Sequence, residues 1–448
     1  MKILNNISRW LKPGIEIKRW ILLGIAGIFL LSYGLGEFAS HKFNIPVYAV
    51  LCIVMILLGI AIIAIAFGEG MKALFRFINE NNPKVTLDME KLEDMVYEKR
   101  LLIRGPKIVA IGGGTGLSTM LRGLKKYTSN ITAIVTVADD GGGSGVLRET
   151  LGILPPGDIR NCLLALADTE PLMEELLQYR FTDGMLKDQN FGNLFIAAMN
   201  GISGNFEEAI KKMSDVLAVT GKVFPVTLSD VRLFAELQDG TVIEGESKIP
   251  NRGSYKDVPI KRVFIKPENA EPLQEALNAI DEADAIILGP GSLYTSIIPN
   301  LLVNDIVKHI EESGAVKVYV ANIMTQPGET DGYSIGDHIQ AIQDCAHGNN
   351  RIIDYALVNK SRLPENLYGK YVDDGSKEVV IDRERVEKLG IKIIEDEFLD
   401  VSKNLIRHNS ERLAQVIIEL ILDDRISKDK KRKIEFYYLN ERMKQNGR

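Results

Sequence analysis

Two stretches near the start of the chain restrict what it can become. Residues 20–36 (WILLGIAGIFLLSYGLG) and 43–68 (FNIPVYAVLCIVMILLGIAIIAIAFG) contain no charged side chain. A helix needs about 20 apolar residues to cross a bilayer's hydrocarbon layer; the second stretch exceeds that and the first comes close. A cleaved leader followed by a buried helix would need a small-residue processing site between the stretches, and none stands there. Lys2, Arg9, Lys12, Lys18 and Arg19 precede the first stretch, Lys72, Arg76 and Lys84 follow the second, and the connecting loop has only Lys42. This bias predicts a transmembrane hairpin over 1–80, held in the cell membrane through residues 20–68, with both termini cytoplasmic. With no charge inside either span, the hairpin reads as an anchor and not as a transport path.

Charge is divided along the chain. The overall net charge is −6, yet residues 1–80 carry +4, residues 424–448 carry +5 and the middle carries −15. An acidic middle argues against a nucleic-acid surface. The three cysteines, Cys52, Cys162 and Cys345, are far apart and form no CxxC, and no HExxH occurs. Disulfides and zinc are therefore disfavoured. Residues 81–104 read as a linker with a short charged helix. The basic tail at 424–448, with KDKKRK at 428–433, reads as a solvated helix end that could also rest on anionic headgroups.

Between them, residues 105–423 alternate short β-rich runs with helical patterns. The expected strands are 107–112, 131–138, 284–290, 316–322 and 353–359. This alternation predicts a Rossmann-like, doubly wound α/β fold with a mostly parallel sheet. Residues 222–266, with a turn at Asp239-Gly240, read as an antiparallel hairpin inserted in or flanking that sheet. Ligands of such sheets bind beyond the carboxyl ends of the strands, so the polar turns found there are the candidate site.

The first is GGGTG at 112–116, ahead of a helix expected near Leu117. Glycines bring successive N–H groups close to an anion, which makes Gly113, Gly114, Thr115 and Gly116 candidate phosphate contacts. The spacing is neither GxGxxG nor a Walker loop, and a tight turn holding nothing would use the same glycines. Next come Asp139 and Asp140, before a glycine run interrupted by Ser144. Adjacent carboxylates suit ribose hydroxyls, a substrate hydroxyl or Mg²⁺, so both are candidate catalytic groups and Asp140 a candidate metal ligand; turn-forming acids would look the same. In LPPGDIRNCLLALAD (154–168) Asp158 is placed as a helix N-cap, with Arg160 and Asn161 in the first turn, where an arginine can fork onto phosphate. Asn193 opens an apolar helix as either a cap or an amide donor. LGPGSLYTS (288–296) resembles a second anion turn, with Gly289, Gly291, Ser292 and Tyr294 as candidates. Asn322, Thr325, Gln326 and Glu329 end another strand. Arg407-His408 precede a helix capped by Asn409 or Ser410, and Ser410 is also a candidate kinase target.

The motifs GGGTGLS, VTVADDGG, PPGDIRN, GNL, GPGSLYTSIIPNLLV, MTQPGET and IRH, in this order over residues 107–423, resemble the gluconeogenesis-factor (YvcK-type) family. Its wider superfamily includes the 2-phospho-L-lactate (CofD-type) transferases. The resemblance implies a CofD-like fold and binding of a UDP-sugar such as UDP-N-acetylglucosamine or UDP-glucose. It also implies a regulatory role in cell shape and wall-precursor metabolism. On this analogy the glycine turns hold the nucleotide and its phosphates, and Arg407 contacts phosphate at the edge of the site. The alternative is an Mg²⁺-dependent transferase with Asp139 and Asp140 at the acceptor or metal. A kinase, wall-synthesis proteins or further copies of the chain are the candidate protein partners. Familiar members lack the apolar hairpin, so the chain resembles an anchored variant. The glycine at 143 departs from the serine expected before Ser144.

Overall fold

In the computed structural model both uncharged stretches are helical: α1 (Ile17–Ser40) and α2 (Pro46–Asn81), with proline at the head of α2 where its missing N–H costs nothing. The structure describes residues 17–40, 46–81, 99–255, 257–346, 351–402 and 404–428. The flanking cations Lys2, Arg9, Lys12, Lys42 and Lys84, most of the 81–104 linker and the basic run beyond Lys428 lie outside the described residues. The chain divides into two compact units, residues 1–100 and 101–448.

In the first unit the two helices form a hairpin whose seam is made by glycine. A Cβ on Gly59 would stand 2.8 Å from Leu31 N, and one on Gly27 2.8 Å from Ile63 Cγ1. Larger residues at either place would part the helices. Leu22, Phe29 and Phe67 face outward and are exposed. Both helices are long and apolar enough to cross a membrane.

The second unit is built on seven parallel strands. They are β1 (Ile108–Gly112), β2 (Ile131–Val135), β3 (Lys222–Pro225), β7 (Ala285–Leu288), β8 (Val316–Val320), β9 (Tyr355–Asn359) and β10 (Lys392–Asp396), in the order β10-β9-β8-β7-β1-β2-β3. Every residue of β1, β7 and β8 is buried, as expected for parallel strands covered on both faces. The chain leaves β1 toward β2 and β3, then returns to the other side of β1 as β7. The crevice beyond the carboxyl ends of β1 and β7 is therefore the topological switch point, where such sheets bind ligands.

Between β3 and β7 lies an antiparallel sheet of β4 (Arg232–Leu237), β5 (Val242–Glu244) and β6 (Ile260–Lys266), in the order β5-β4-β6. The expected turn at Asp239-Gly240 joins β4 to β5. Residues 222–225, however, are not part of this insertion. They pair in parallel with β2, because the helix over Phe206–Val216 returns the chain to the main sheet. β10 and the hairpin β11 (Leu399–Ser402) and β12 (Leu405–His408) were not anticipated. Their half-polar patterns carry no long apolar run.

Helix α3 (Gly114–Leu124) begins three residues earlier than its apolar pattern suggests. Helices α4 (Gly142–Leu151), α5 (Gly157–Leu166) and α6 (Phe191–Ser203) follow, and the chain's last described helix is α7 (Ser410–Lys428). Gly123 of α3 lies against the backbone of Ser410, so a side chain there would push α7 away. Asn409 caps α7 by accepting the amide of Arg412 at 3.0 Å.

Candidate functional site

The two glycine turns meet at the switch point. Gly114 has φ +67°, the left-handed region that glycine tolerates, and it turns the chain from β1 into α3. A Cβ on Gly116 would stand 2.6 Å from Pro290 O, and one on Gly291 3.2 Å from Gly113 O. Only glycines let these turns touch. Asn300 ties them from below, donating to Gly112 O at 3.2 Å and Ser296 O at 2.7 Å.

Above the junction opens a cleft of about 350 Å³. Gly113, Gly114, Thr115, Gly116, Gly291, Ser292, Thr325 and Arg407 all line it, so eight of the sequence candidates share one surface. The first amides of α3 have no helical acceptor, and they lie at this wall. The Arg407 guanidinium has no hydrogen-bond or ion-pair partner among the described residues. His408 lines the cleft and is half-buried. Its Nε2 lies 3.1 Å from Ala321 O, and burial pulls its pKa down to about 4, so it is neutral at physiological pH.

Gly289 and Tyr294 do not reach the cleft. Gly289, at φ +80°, packs against Ile297 and Val320, and Tyr294 is buried with its hydroxyl 2.8 Å from that of Tyr333. Burial raises the Tyr294 pKa, so it stays protonated.

A second group gathers beside the cleft. Asp139 accepts the Gly141 amide at 2.8 Å, and Asp140 accepts the Ser247 amide at 2.9 Å, which fastens the loop after β2 to the antiparallel insertion. Asp158 is not the N-cap of α5. That place belongs to Pro156, and the Asp158 carboxylate instead sits where a Cβ on Gly113 would be, 2.5 Å from its Oδ2. Burial, then the charge of Asp139, raises Asp158 to about 6, against the stabilising amide of Gly114. Burial also raises Asp139.

Arg160 is the hub of this side. It donates to Asn193 Oδ1 at 2.7 Å and to Asn161 Oδ1 at 2.8 Å, while Asn193 donates to Ser144 Oγ at 3.4 Å. Burial, then the charge of Arg180, lowers Arg160 to about 10. Asn190 caps α6 by accepting the Asn193 amide at 3.2 Å, which frees the Asn193 side chain for Arg160.

Glu246 has no counterpart in the sequence reading. It reaches the acidic group from the insertion, and burial, then Asp139 and Glu329, push it up to about 8. Glu329 is raised to about 7 by burial, partly offset by the Thr295 hydroxyl at 3.3 Å. Among the described residues no three His, Cys, Asp or Glu side chains converge on a metal position. An Mg²⁺ ion here would rest on one or two carboxylates, Asp139 or Asp140 among them, and on ligand oxygens.

A doubly wound parallel sheet with paired glycine turns at its switch point defines a CofD-like α/β protein. The family model described as 2-phospho-L-lactate transferase CofD matches residues 108–399. The chain is 48% identical to the gluconeogenesis factor of Bacillus subtilis over 70% of this chain and 98% of the relative. A Clostridium acetobutylicum protein, named as a candidate gluconeogenesis factor, is 56% identical over 98% of this chain and 97% of its own length. The crystal structure of a UPF0052-family protein from Bacillus halodurans matches with a TM-score of 0.66 and 48% identity, covering 69% of this chain and 98% of that one. The chain belongs to the gluconeogenesis factor family, within the CofD superfamily. Its relatives come in two lengths, and the shorter ones have no counterpart to roughly three tenths of this chain.

Proposed function

We propose that this protein is a membrane-anchored regulator that binds a UDP-sugar in the switch-point cleft and links wall-precursor supply to cell shape. The observation that carries the reading is that the α3 amides beyond Gly114, whose own amide is held by Asp158, meet at the cleft an Arg407 guanidinium with no partner among the described residues. A diphosphate linkage satisfies both, since amides and a guanidinium fork are the standard partners of phosphate oxygens. The α1–α2 hairpin supplies the anchor, with both termini in the cytoplasm. The UDP-sugar and the regulatory role come from the family resemblance.

A second reading, an Mg²⁺-dependent transferase, is favoured by Asp139 and Asp140 beside the phosphate turns and by the transferase name of the matched family model. Bound Mg²⁺ would neutralise phosphate charge. The chain's own part would be Asp139 or Asp140 taking the proton of an acceptor hydroxyl.

Calorimetric titration with UDP-N-acetylglucosamine, UDP-glucose and GDP, each with and without Mg²⁺, separates the two. Mass spectrometry of the mixtures completes the test. The regulator binds a UDP-sugar without metal and returns it intact. Any Mg²⁺-dependent product makes the protein an enzyme and overturns the regulator.

A further inference from the structure

The cleft lining changes character away from the glycine turns. Ile323, Met324 and Ile406 line it too, and they form an apolar cluster of their own, with Leu363, Tyr371 and Leu399 packed against it, apart from the main core. Phosphate turns have no use for such a surface. Apolar side chains beside a polar cleft mark a place for the flat, apolar part of a ligand.

Tyr371, which also lines the cleft, is fixed in place. Its hydroxyl accepts the Ile406 amide at 3.0 Å. The segment bearing it is clamped at Thr325, whose amide donates to Lys377 O at 2.7 Å and whose hydroxyl accepts the Lys377 amide at 2.9 Å. Gln326 stands at the same cleft and donates to Ser292 Oγ at 2.6 Å, which holds it against the second glycine turn.

We propose that Tyr371 and the Ile323–Met324–Ile406 cluster form the platform for the nucleobase. The base then lies at the apolar end and the phosphates on the glycine turns. This rests on the nucleotide reading above and gives it an orientation.

The test uses full-length protein in detergent with UDP, GDP and inorganic pyrophosphate as probes. Wild-type protein binds at least one nucleotide more tightly than pyrophosphate. Tyr371→Ala weakens that nucleotide roughly ten-fold or more, the scale of base–aromatic stacking, and leaves pyrophosphate within about two-fold. Tyr371→Phe keeps the ring and therefore the nucleotide–pyrophosphate split, at some loss of stability because the Ile406 amide loses its acceptor. Should Tyr371→Ala fail to fold, Met324→Ala reports the same split on a smaller scale. Equal losses for nucleotide and pyrophosphate, or no loss of either, overturn the platform. So does wild-type protein that binds pyrophosphate as tightly as both nucleotides. A preference for GDP with the split intact supports the platform and defeats only the UDP-sugar assignment.

Discussion

The two flanks of the switch-point crevice are built from opposite chemistries. One presents helix-start amides, hydroxyls and the Arg407 guanidinium. The other gathers Asp139, Asp140, Asp158, Glu246 and Glu329, with Arg148 beside Asp139, Arg252 beside Glu329, and Arg160 already held by two asparagines. Asp158 joins them, because its carboxylate lies against Gly113. Ligand charge is thereby sorted: anionic oxygens belong with the amides, and hydroxyl or cationic groups with the acids. The acidic flank is tolerated because burial keeps part of it protonated near neutral pH.

The comparison breaks most completely if the glycine junction can be filled without consequence. A Cβ at 116 meets Pro290 O at 2.6 Å and Pro290 C at 2.9 Å, both backbone atoms that cannot swing away. Gly116→Ala is expected to cost roughly 1–3 kcal/mol of stability and to abolish measurable UDP-sugar binding. Gly201→Ala is the control, since nothing lies within 4 Å of its Cβ. In the last turn of α6 it should stabilise by a few tenths of a kcal/mol up to about 1 kcal/mol. Thermal melts and calorimetry on the pair decide the point. Equal behaviour of the two variants would show that the junction is loose.

Next in size is the contrast between the two arginines. Arg407→Ala should reduce affinity about ten- to a hundred-fold, the worth of a charge-assisted hydrogen bond, with little change in melting temperature. Arg160→Ala should do the reverse. It leaves Asn161 Oδ1 and Asn193 Oδ1 without their donor, so stability falls by about 1–3 kcal/mol. If Arg160→Ala instead removed binding from a protein of unchanged stability, the acidic flank would be the phosphate site and the sorting of charge would be wrong.

How much of this was legible in the sequence follows from range. The glycine turns, the five apolar strands and the Asp239-Gly240 turn are local patterns, and all are in place. Asp158 was misplaced because a carboxylate near a helix start resembles a cap, and only the fold brings Gly113 against it. Glu246 was missed for the same reason. The Ser247 amide meets Asp140 across 107 residues, and no spacing rule reaches that far. Tyr371 sits in an ordinary polar segment, NLYGKYVDDGSK, and gains meaning only from Ile406 and Met324 beside it. Residues 222–225 were read as part of an antiparallel hairpin, whereas β3 runs parallel to β2, because four residues of β pattern do not say which partner they pair with.

The smallest expected effect tests the protonation that keeps the acidic flank together. Glu246, Glu329 and Asp158 are pushed up to about 8, 7 and 6, from 4.5 for the glutamates and 3.8 for the aspartate. Raised folded-state values mean that the protonated forms favour the fold. Their contribution is fully present below about pH 4 and is lost as pH rises through 6 to 8. The Arg383–Glu395 and Arg412–Asp396 pairs have lowered carboxyl values and act in the opposite sense, but they are solvent-facing and weak. Glu246→Gln should therefore raise stability at pH 8.5 by about 1–2 kcal/mol, once solvent screening is allowed for, and leave it unchanged near pH 4. Scanning calorimetry at the two pH values reads this directly. A gain of the same size at both would assign the effect to packing, and the acidic flank would then be charged throughout, with a counter-ion or cationic ligand group required to hold it.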